Sequence, residues 1–167
     1  AGADGLLVVT PYYNKPTQSG LLAHYNELIK NSSKPIIIYD IPGRSVIKMS
    51  DNTMAELAKN DLIVGVKDAT ADLARPTRLQ NLIGNDFIQL SGEDGTALAY
   101  LAAGGHGCIS VTANIAPNLL SRMHNAWKQG DITNAQDINK KLMPLHDSLF
   151  CETSPGPLKY AASLLGI

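Results

Sequence analysis

Lys67 directly follows the apolar run Leu62-Ile63-Val64-Gly65-Val66, so on a strand it would project inward from apolar surroundings. Burial disfavours an ammonium ion and lowers its pKa, which leaves a neutral amine able to attack a carbonyl. The plainer reading stands beside it: a lysine that snorkels to solvent at the strand end, or pairs with Asp68. Tyr39 closes the preceding β-rich run, where a phenol can carry protons to and from a carbinolamine oxygen. Its plainer role is a buried ring with a wet hydroxyl. Arg44 lies in a Pro-Gly loop and can either clamp a carboxylate bidentately or simply sit on the surface. An amine, a phenol and a guanidinium together suit covalent capture of an acidic carbonyl compound.

These residues need a scaffold that brings strand ends together. Five runs rich in Val, Ile and Leu read as strands: Gly5–Thr10, Pro35–Tyr39, Leu62–Lys67, Phe87–Ser91 and Gly107–Val111. Their lack of alternation predicts burial on both faces, the pattern of a parallel sheet. Amphipathic stretches lie between them. Ser19–Asn31 places Leu21, Leu22, Tyr25, Leu28 and Ile29 on one stripe. Ser50 is placed to cap a helix carrying Met54, Leu57 and Ala58. Pro76 opens the next, with Leu79, Leu82 and Ile83 following and Gly84 ending it. Asp94–Ala103 is short and stops at Gly104-Gly105. Asn118–Lys128 ends at Gly130, and Asp131 caps a longer helix with Ile132, Ala135, Ile138, Leu142, Leu145 and Leu149 on one side. Pro157–Leu165 reads as a final helix.

Strand–helix alternation of this kind specifies an α/β fold with a parallel sheet. Two architectures satisfy it: an open doubly wound sheet, or part of a (β/α)8 barrel. No G-x-G-x-x-G or G-x-x-x-x-G-K-[ST] follows a strand, which removes support from the nucleotide-binding open sheets. A closed barrel needs eight strands and typically ~250 residues. Five units in 167 residues fit strands four to eight of such a barrel, in residues 1–130, with a helical extension over 131–167. The absence of Met at the start agrees with a piece of a longer protein. In barrels of this type the site lies at the C-terminal strand ends, where Lys67, Tyr39 and Arg44 fall.

Composition narrows the partners. Lys and Arg number 14 against 15 Asp and Glu, a net charge of −1, so no basic excess exists to neutralise nucleic-acid phosphates. The longest apolar runs are far below the ~20 residues of a membrane span. Two cysteines, Cys108 and Cys151, build no disulfide framework and point to a reducing cytoplasm. His24, His106, His124 and His146 lack metal-ligand spacing and read as surface or packing residues.

Five motifs in order make the chain resemble the dihydrodipicolinate synthase family, also called the 4-hydroxy-tetrahydrodipicolinate synthases, of the N-acetylneuraminate lyase superfamily. They are Thr10-Pro11-Tyr12-Tyr13-Asn14, Tyr39-Asp40-Ile41-Pro42-Gly43-Arg44, Gly65-Val66-Lys67-Asp68-Ala69-Thr70, Leu90-Ser91-Gly92-Glu93-Asp94 and Gly104 to Thr112. The resemblance spans essentially all 167 residues, and Asp40 stands where relatives often have Asn. It implies a (β/α)8 barrel and a Schiff-base lyase that needs neither metal nor cofactor. It implies condensation of pyruvate with L-aspartate 4-semialdehyde in the diaminopimelate route of lysine biosynthesis. Lys67 matches the Schiff-base lysine and Tyr39 the phenol of the proton relay. Tyr13 matches a tyrosine inserted from a neighbouring subunit, and Arg44 the arginine that holds the semialdehyde carboxylate. Gly92 and Ile109 match positions lining the pyruvate site, and Tyr12 a residue near an inter-subunit site of lysine inhibition. A homotetramer built as a dimer of dimers is the implied assembly.

Three other readings compete. N-acetylneuraminate lyases and 2-keto-3-deoxy sugar-acid aldolases share the Tyr and Lys pair, but have no need of a clamp at Arg44. A non-catalytic barrel that binds a small acid would keep the pocket without a neutral lysine. A phosphate-binding aldolase would use Gly104-Gly105, which more simply turn the chain into its last strand.

Overall fold

A computed structural model describes residues 2–167. Five strands, β1 (Leu6–Val9), β2 (Ile36–Asp40), β3 (Ile63–Asp68), β4 (Ile88–Ser91) and β5 (Gly107–Cys108), form one parallel sheet in the order β1-β2-β3-β4-β5. Consecutive strands are neighbours throughout. A doubly wound sheet reverses its order at a switch point, and no reversal occurs among the described residues, so that expectation falls away. The helices are α1 (Gln18–Lys30), α2 (Pro42–Ser45), α3 (Asp51–Leu57), α4 (Arg75–Ile83), α5 (Ala97–Ala102), α6 (Pro117–Lys128), α7 (Ile132–Ser148) and α8 (Gly156–Leu164).

The caps are those the residue types favour. The Ser50 hydroxyl accepts from Thr53 N at 3.1 Å and starts α3. Asp131 accepts from Asn134 N at 3.2 Å and starts α7. Thr17 caps α1, one residue or so earlier than the pattern of apolar residues suggested. Gly84 ends α4 at φ +110°, a backbone conformation that costs a side chain but not a glycine.

Helices α1, α3 and α4 pack on one face of the sheet. Leu21 and Tyr25 of α1, Met54 and Leu57 of α3 and Leu79 of α4 surround Ile36, Ile38 and Val66 in one buried cluster. Burying a side chain of this size contributes about 1.5–3 kcal/mol relative to leaving it in water. Tyr25 also donates from its hydroxyl to Val8 O at 2.9 Å, tying α1 to β1. A second cluster, Leu120, Met123, Ile138 and Leu142, joins α6 to α7.

Three expectations are corrected. Burial on both faces is not found: the face opposite the helices is uncovered among the described residues, with Leu7 and Ile88 exposed. Most strand residues there are apolar, but no layer lies over them among the described residues. Leu82 and Ile132 are exposed rather than part of the buried stripes, since each lies at the margin of its helix's apolar face. The fifth strand ends at Cys108 instead of Val111. Asp94 Oδ2 accepts from Val111 N at 2.9 Å and Thr112 N at 3.1 Å, which draws the backbone out of the ladder into a 3-10 turn over Thr112–Asn114.

Candidate functional site

Parallel pairing sets the geometry. Tyr39 is opposite Lys67, and Asp40 is opposite Asp68. Successive strand residues point to opposite faces, so Tyr39 and Lys67 share the uncovered face while Asp40 and Asp68 share the helix-covered one. The structure brings Lys67 Nζ to 4.1 Å from the centre of the Tyr39 ring. Lys67 is half-buried and has no carboxylate within ion-pair distance among the described residues. The sequence-level alternative in which Lys67 pairs with Asp68 is therefore not realised: Asp68 lies on the other face and approaches Arg75.

Burial holds the Lys67 amine below the ordinary lysine range, against the opposing pull of Cys108, Asp94 and Glu93. The ring face of Tyr39 favours a cation and so opposes the same shift. Burial raises the Tyr39 phenol, Glu93 adds to that, and Arg44 acts against it. The phenol therefore stays a proton carrier rather than a phenolate at neutral pH. The Glu93 carboxyl is also raised, first by burial and then by Asp94. Cys108 is half-buried in β5, its thiol pushed up to about 12 by burial and Asp94, which makes it a poor nucleophile.

Space around the amine is tight. A Cβ on Gly92 would stand 3.3 Å from Lys67 Cε and 2.9 Å from Ala69 Cβ. Gly92 N donates to Asp68 O at 2.7 Å, which continues the ladder past β4. A Cβ on Gly65, two residues before Lys67, would clash with Ile88 O. Ile109 lies just beyond β5, half-buried, and donates from its N to Ser91 O at 2.9 Å. Gly92 and Ile109 thus both sit at strand ends, Gly92 after the strand that neighbours Lys67 and Ile109 after the next one.

Arg44 is on α2, a single helical turn where the sequence suggested only a loop. Pro42 at its start and Ser45 at its end build it: the Ser45 hydroxyl bridges Ile41 O and Ile47 O, each at 2.9 Å. Arg44 is exposed and donates from Nη2 to Ser154 O at 3.2 Å, so the segment after α7 holds it. Leu7, Val9, Tyr12, Tyr39, Ile41, Arg44 and Ser45 line an open cup of about 480 Å³. Tyr12 thus stands with Tyr39 and Arg44. Tyr13, 88% exposed, does not line the cup.

Sequence reasoning missed Arg75, which is fully buried beneath the site, and the Ser154 carbonyl that steadies Arg44. Arg75 left no signal beyond its place before Pro76. A role for residues near 154 could not be seen without the fold, since 110 residues separate them from Arg44. His146 is buried, with Nδ1 2.7 Å from Thr112 Oγ1, and fastens α7 to the turn after β5. That is the packing role expected of it. No group of three potential metal ligands occurs among the described residues, and no helix of the described residues is long and apolar enough to cross a membrane.

Residues 1–167 match the model of the dihydrodipicolinate synthetase family. The chain belongs to this family. It is 64% identical over 166 residues to a 4-hydroxy-tetrahydrodipicolinate synthase of Rhodospirillum centenum, covering 99% of this chain and 57% of that protein. It is 62% identical over 165 residues to the enzyme of that name from Acidiphilium cryptum, covering 99% and 56%. Among solved structures it is similar to a dihydrodipicolinate synthase from Aquifex aeolicus, with a TM-score of 0.96 and 41% identity over 99% of this chain and 57% of that one. It is similar also to the chloride-inhibited dihydrodipicolinate synthase of Acinetobacter baumannii complexed with pyruvate, with a TM-score of 0.94 and 42% identity over 99% and 57%. The chain thus spans little more than half the length of these relatives.

Proposed function

We propose that the full-length protein is a Schiff-base lyase that condenses pyruvate with L-aspartate 4-semialdehyde to 4-hydroxy-tetrahydrodipicolinate. One observation carries this reading: an amine without a carboxylate partner among the described residues, its pKa lowered by burial, faces a phenol ring 4.1 Å away at paired strand ends. The names borne by relatives at 62–64% identity, and the pyruvate complex of a structural relative, point to the same chemistry.

Lys67 Nζ attacks the carbonyl carbon of pyruvate, and loss of water from the carbinolamine leaves an imine. Tyr39 carries the proton to the departing oxygen. Loss of a methyl proton gives an enamine, whose carbon attacks the semialdehyde carbonyl, and that oxygen takes up a proton. The substrate's own amine then adds to the imine carbon and displaces Lys67, which closes the ring and frees the enzyme. Arg44 would hold the semialdehyde carboxylate, with Gly92 and Ile109 leaving room for pyruvate. Tyr13, solvent-facing in this chain, would complete the proton relay from a neighbouring subunit, which requires at least a dimer. Tyr12 would lie near an inter-subunit regulatory site. The assembly would be a homotetramer in the cytoplasm.

The same reading makes the five units strands four to eight of a (β/α)8 barrel over residues 1–130, with 131–167 as an appended helical region. The uncovered face supports this, because Leu7, Ile37, Ile88 and Leu90 would become barrel interior. Sequential strand order and helices on one face are also what a barrel arc requires.

Borohydride reduction in the presence of pyruvate tests the proposal. The full-length protein should gain one N-(1-carboxyethyl) group, mapped to Lys67 by peptide mass spectrometry. Arg44→Ala should keep the adduct while losing use of the semialdehyde. A folded protein that gains no adduct, or gains it at another lysine, would reject the mechanism.

A further inference from the structure

We propose that Arg75 is a positioning residue for Lys67 and Tyr39, acting from the opposite side of the sheet by clamping the two carboxylates that follow them in sequence. The inference rests on the Schiff-base reading of Lys67.

Arg75, on α4, is fully buried. Its Nη1 donates to Asp40 Oδ2 at 2.8 Å and lies 3.4 Å from Asp68 Oδ1. One nitrogen thus spans adjacent strands at the register pair Asp40–Asp68. The rest of the guanidinium is fixed as well: Nε donates to Asp51 Oδ1 at 2.9 Å, and Nη2 to Met49 O at 2.8 Å. Asp51 is held in turn by Arg78 Nε at 2.7 Å. Asp40 and Asp68 are themselves buried, and Asp68 Oδ2 has no partner of its own.

Stability alone does not account for such a cluster. Buried ion pairs often contribute no more than apolar packing of the same volume, because desolvation offsets the attraction. What apolar packing cannot supply is directional register between two strand ends. Asp40 and Asp68 are each one bonded residue from Tyr39 and Lys67, so a lateral or rotational slip of either strand end moves the amine relative to the phenol. The backbone adds two further rungs at the same level, Ala69 N to Asp40 O at 2.9 Å and Gly92 N to Asp68 O at 2.7 Å. A guanidinium suits the task because its rigid fork holds several acceptors at fixed angles, which a lysine ammonium does not.

The experiment follows imine formation by rapid-quench borohydride trapping in the full-length protein, as a function of pyruvate concentration. Arg75→Lys keeps the charge but loses the fork. The limiting trapping rate should fall at least about tenfold, since misplacement of about 1 Å can cost about a hundredfold. The half-saturating pyruvate concentration should move less than about threefold, because binding groups are untouched. Asp68→Asn should slow trapping alone but add nothing on the Arg75→Lys background, as residues acting through one contact are not additive. A folded Arg75→Lys protein with a limiting rate within about twofold of the parent, or an Asp68→Asn effect that multiplies in full, would overturn the proposal. If Arg75→Lys does not fold, Asp68→Asn decides alone, since it keeps shape but removes the charge facing Arg75 Nη1: an unchanged limiting rate refutes the clamp, and a severalfold loss with half-saturation unmoved supports it. A parent protein that traps no pyruvate at all would refute the Schiff-base reading instead.

Discussion

Lys67 and Asp68 are bonded neighbours with opposite circumstances. Asp68 points toward the helices, into a network where Asp40, Asp51, Arg75 and Arg78 meet at 2.7–3.4 Å. Lys67 points to the uncovered face and has a phenol ring for company and no counter-charge among the described residues. The pleat of a strand makes this possible within a single peptide unit. Behind the sheet, charge is matched by charge and becomes part of the scaffold. In front, the amine is half-buried with no ion pair to offset its desolvation, so it gives up its proton more readily and becomes a nucleophile. A strand end is therefore a good place to keep rigidity and reactivity apart without separating them in space.

The largest expected effect contrasts the two sides directly. Arg75→Met leaves Asp40 and Asp68 buried beside each other without their cation. Removing one partner from such a network costs about 3–5 kcal/mol, which urea unfolding of the full-length protein should register as a large drop in midpoint. Lys67→Met removes an ionisable group that burial already penalises. The folded pKa of Lys67 lies below its unfolded value of about 10.4. The folded state thus binds fewer protons in between, so protonation weakens folding as pH falls through that window. Lys67→Met should leave the midpoint at pH 7 unchanged or higher, and the gain should vanish above the unfolded pKa. Equal losses in the two variants would dissolve the distinction between the two faces.

The order of these elements was legible because it rests on local rules. Apolar runs without alternation marked all five strands, and Ser50, Gly84 and Asp131 marked helix ends through hydrogen-bonding and φ preferences that act within four residues. Lys67 and Tyr39 were legible as a pair because parallel register converts position at a strand end into proximity. Arg75 was not, because its three acidic partners lie 7 to 35 residues away and nothing local distinguishes a buried arginine from a surface one. The early end of β5 was hidden for the same reason: Asp94 captures its backbone from 17 residues upstream. The helical turn at Arg44 was missed because Pro-Gly reads as a loop.

A middle-sized effect tests whether the front face is governed by space rather than by charge. Gly92→Ala introduces a methyl 3.3 Å from Lys67 Cε and 2.9 Å from Ala69 Cβ. Overpacking of this kind typically costs about 1–3 kcal/mol. The lysine stem can turn aside, but Ala69 Cβ and Asp68 O, the latter 3.3 Å away, belong to the strand-end scaffold and must shift. The substitution should therefore lower the unfolding midpoint as well as pyruvate adduct formation, with a midpoint loss smaller than that of Arg75→Met. A midpoint loss as large as that of Arg75→Met, with adduct formation intact, would place the strain in the scaffold alone.

The smallest effect concerns charges that are paired but wet. Asp72 accepts from Arg78 Nη2 at 2.6 Å and from Lys48 Nζ at 3.2 Å. The Arg78 hydrogen bond, with help from Lys48, holds its carboxyl down at about 2. A folded pKa below the unfolded value of about 3.9 means stability that is present above that pH and lost as pH falls toward 2. Water and salt screen this rim network, so Asp72→Asn should cost less than about 1 kcal/mol at neutral pH and low salt. That cost should shrink further at 1 M salt, where screening acts over about 3 Å. Arg75→Met should keep its full penalty under the same salt, because no ions reach a fully buried guanidinium site. If added salt rescued Arg75→Met as it does Asp72→Asn, the buried cluster would be behaving as surface electrostatics. The contrast between the two sides of the sheet would then rest on burial that the protein in solution does not have.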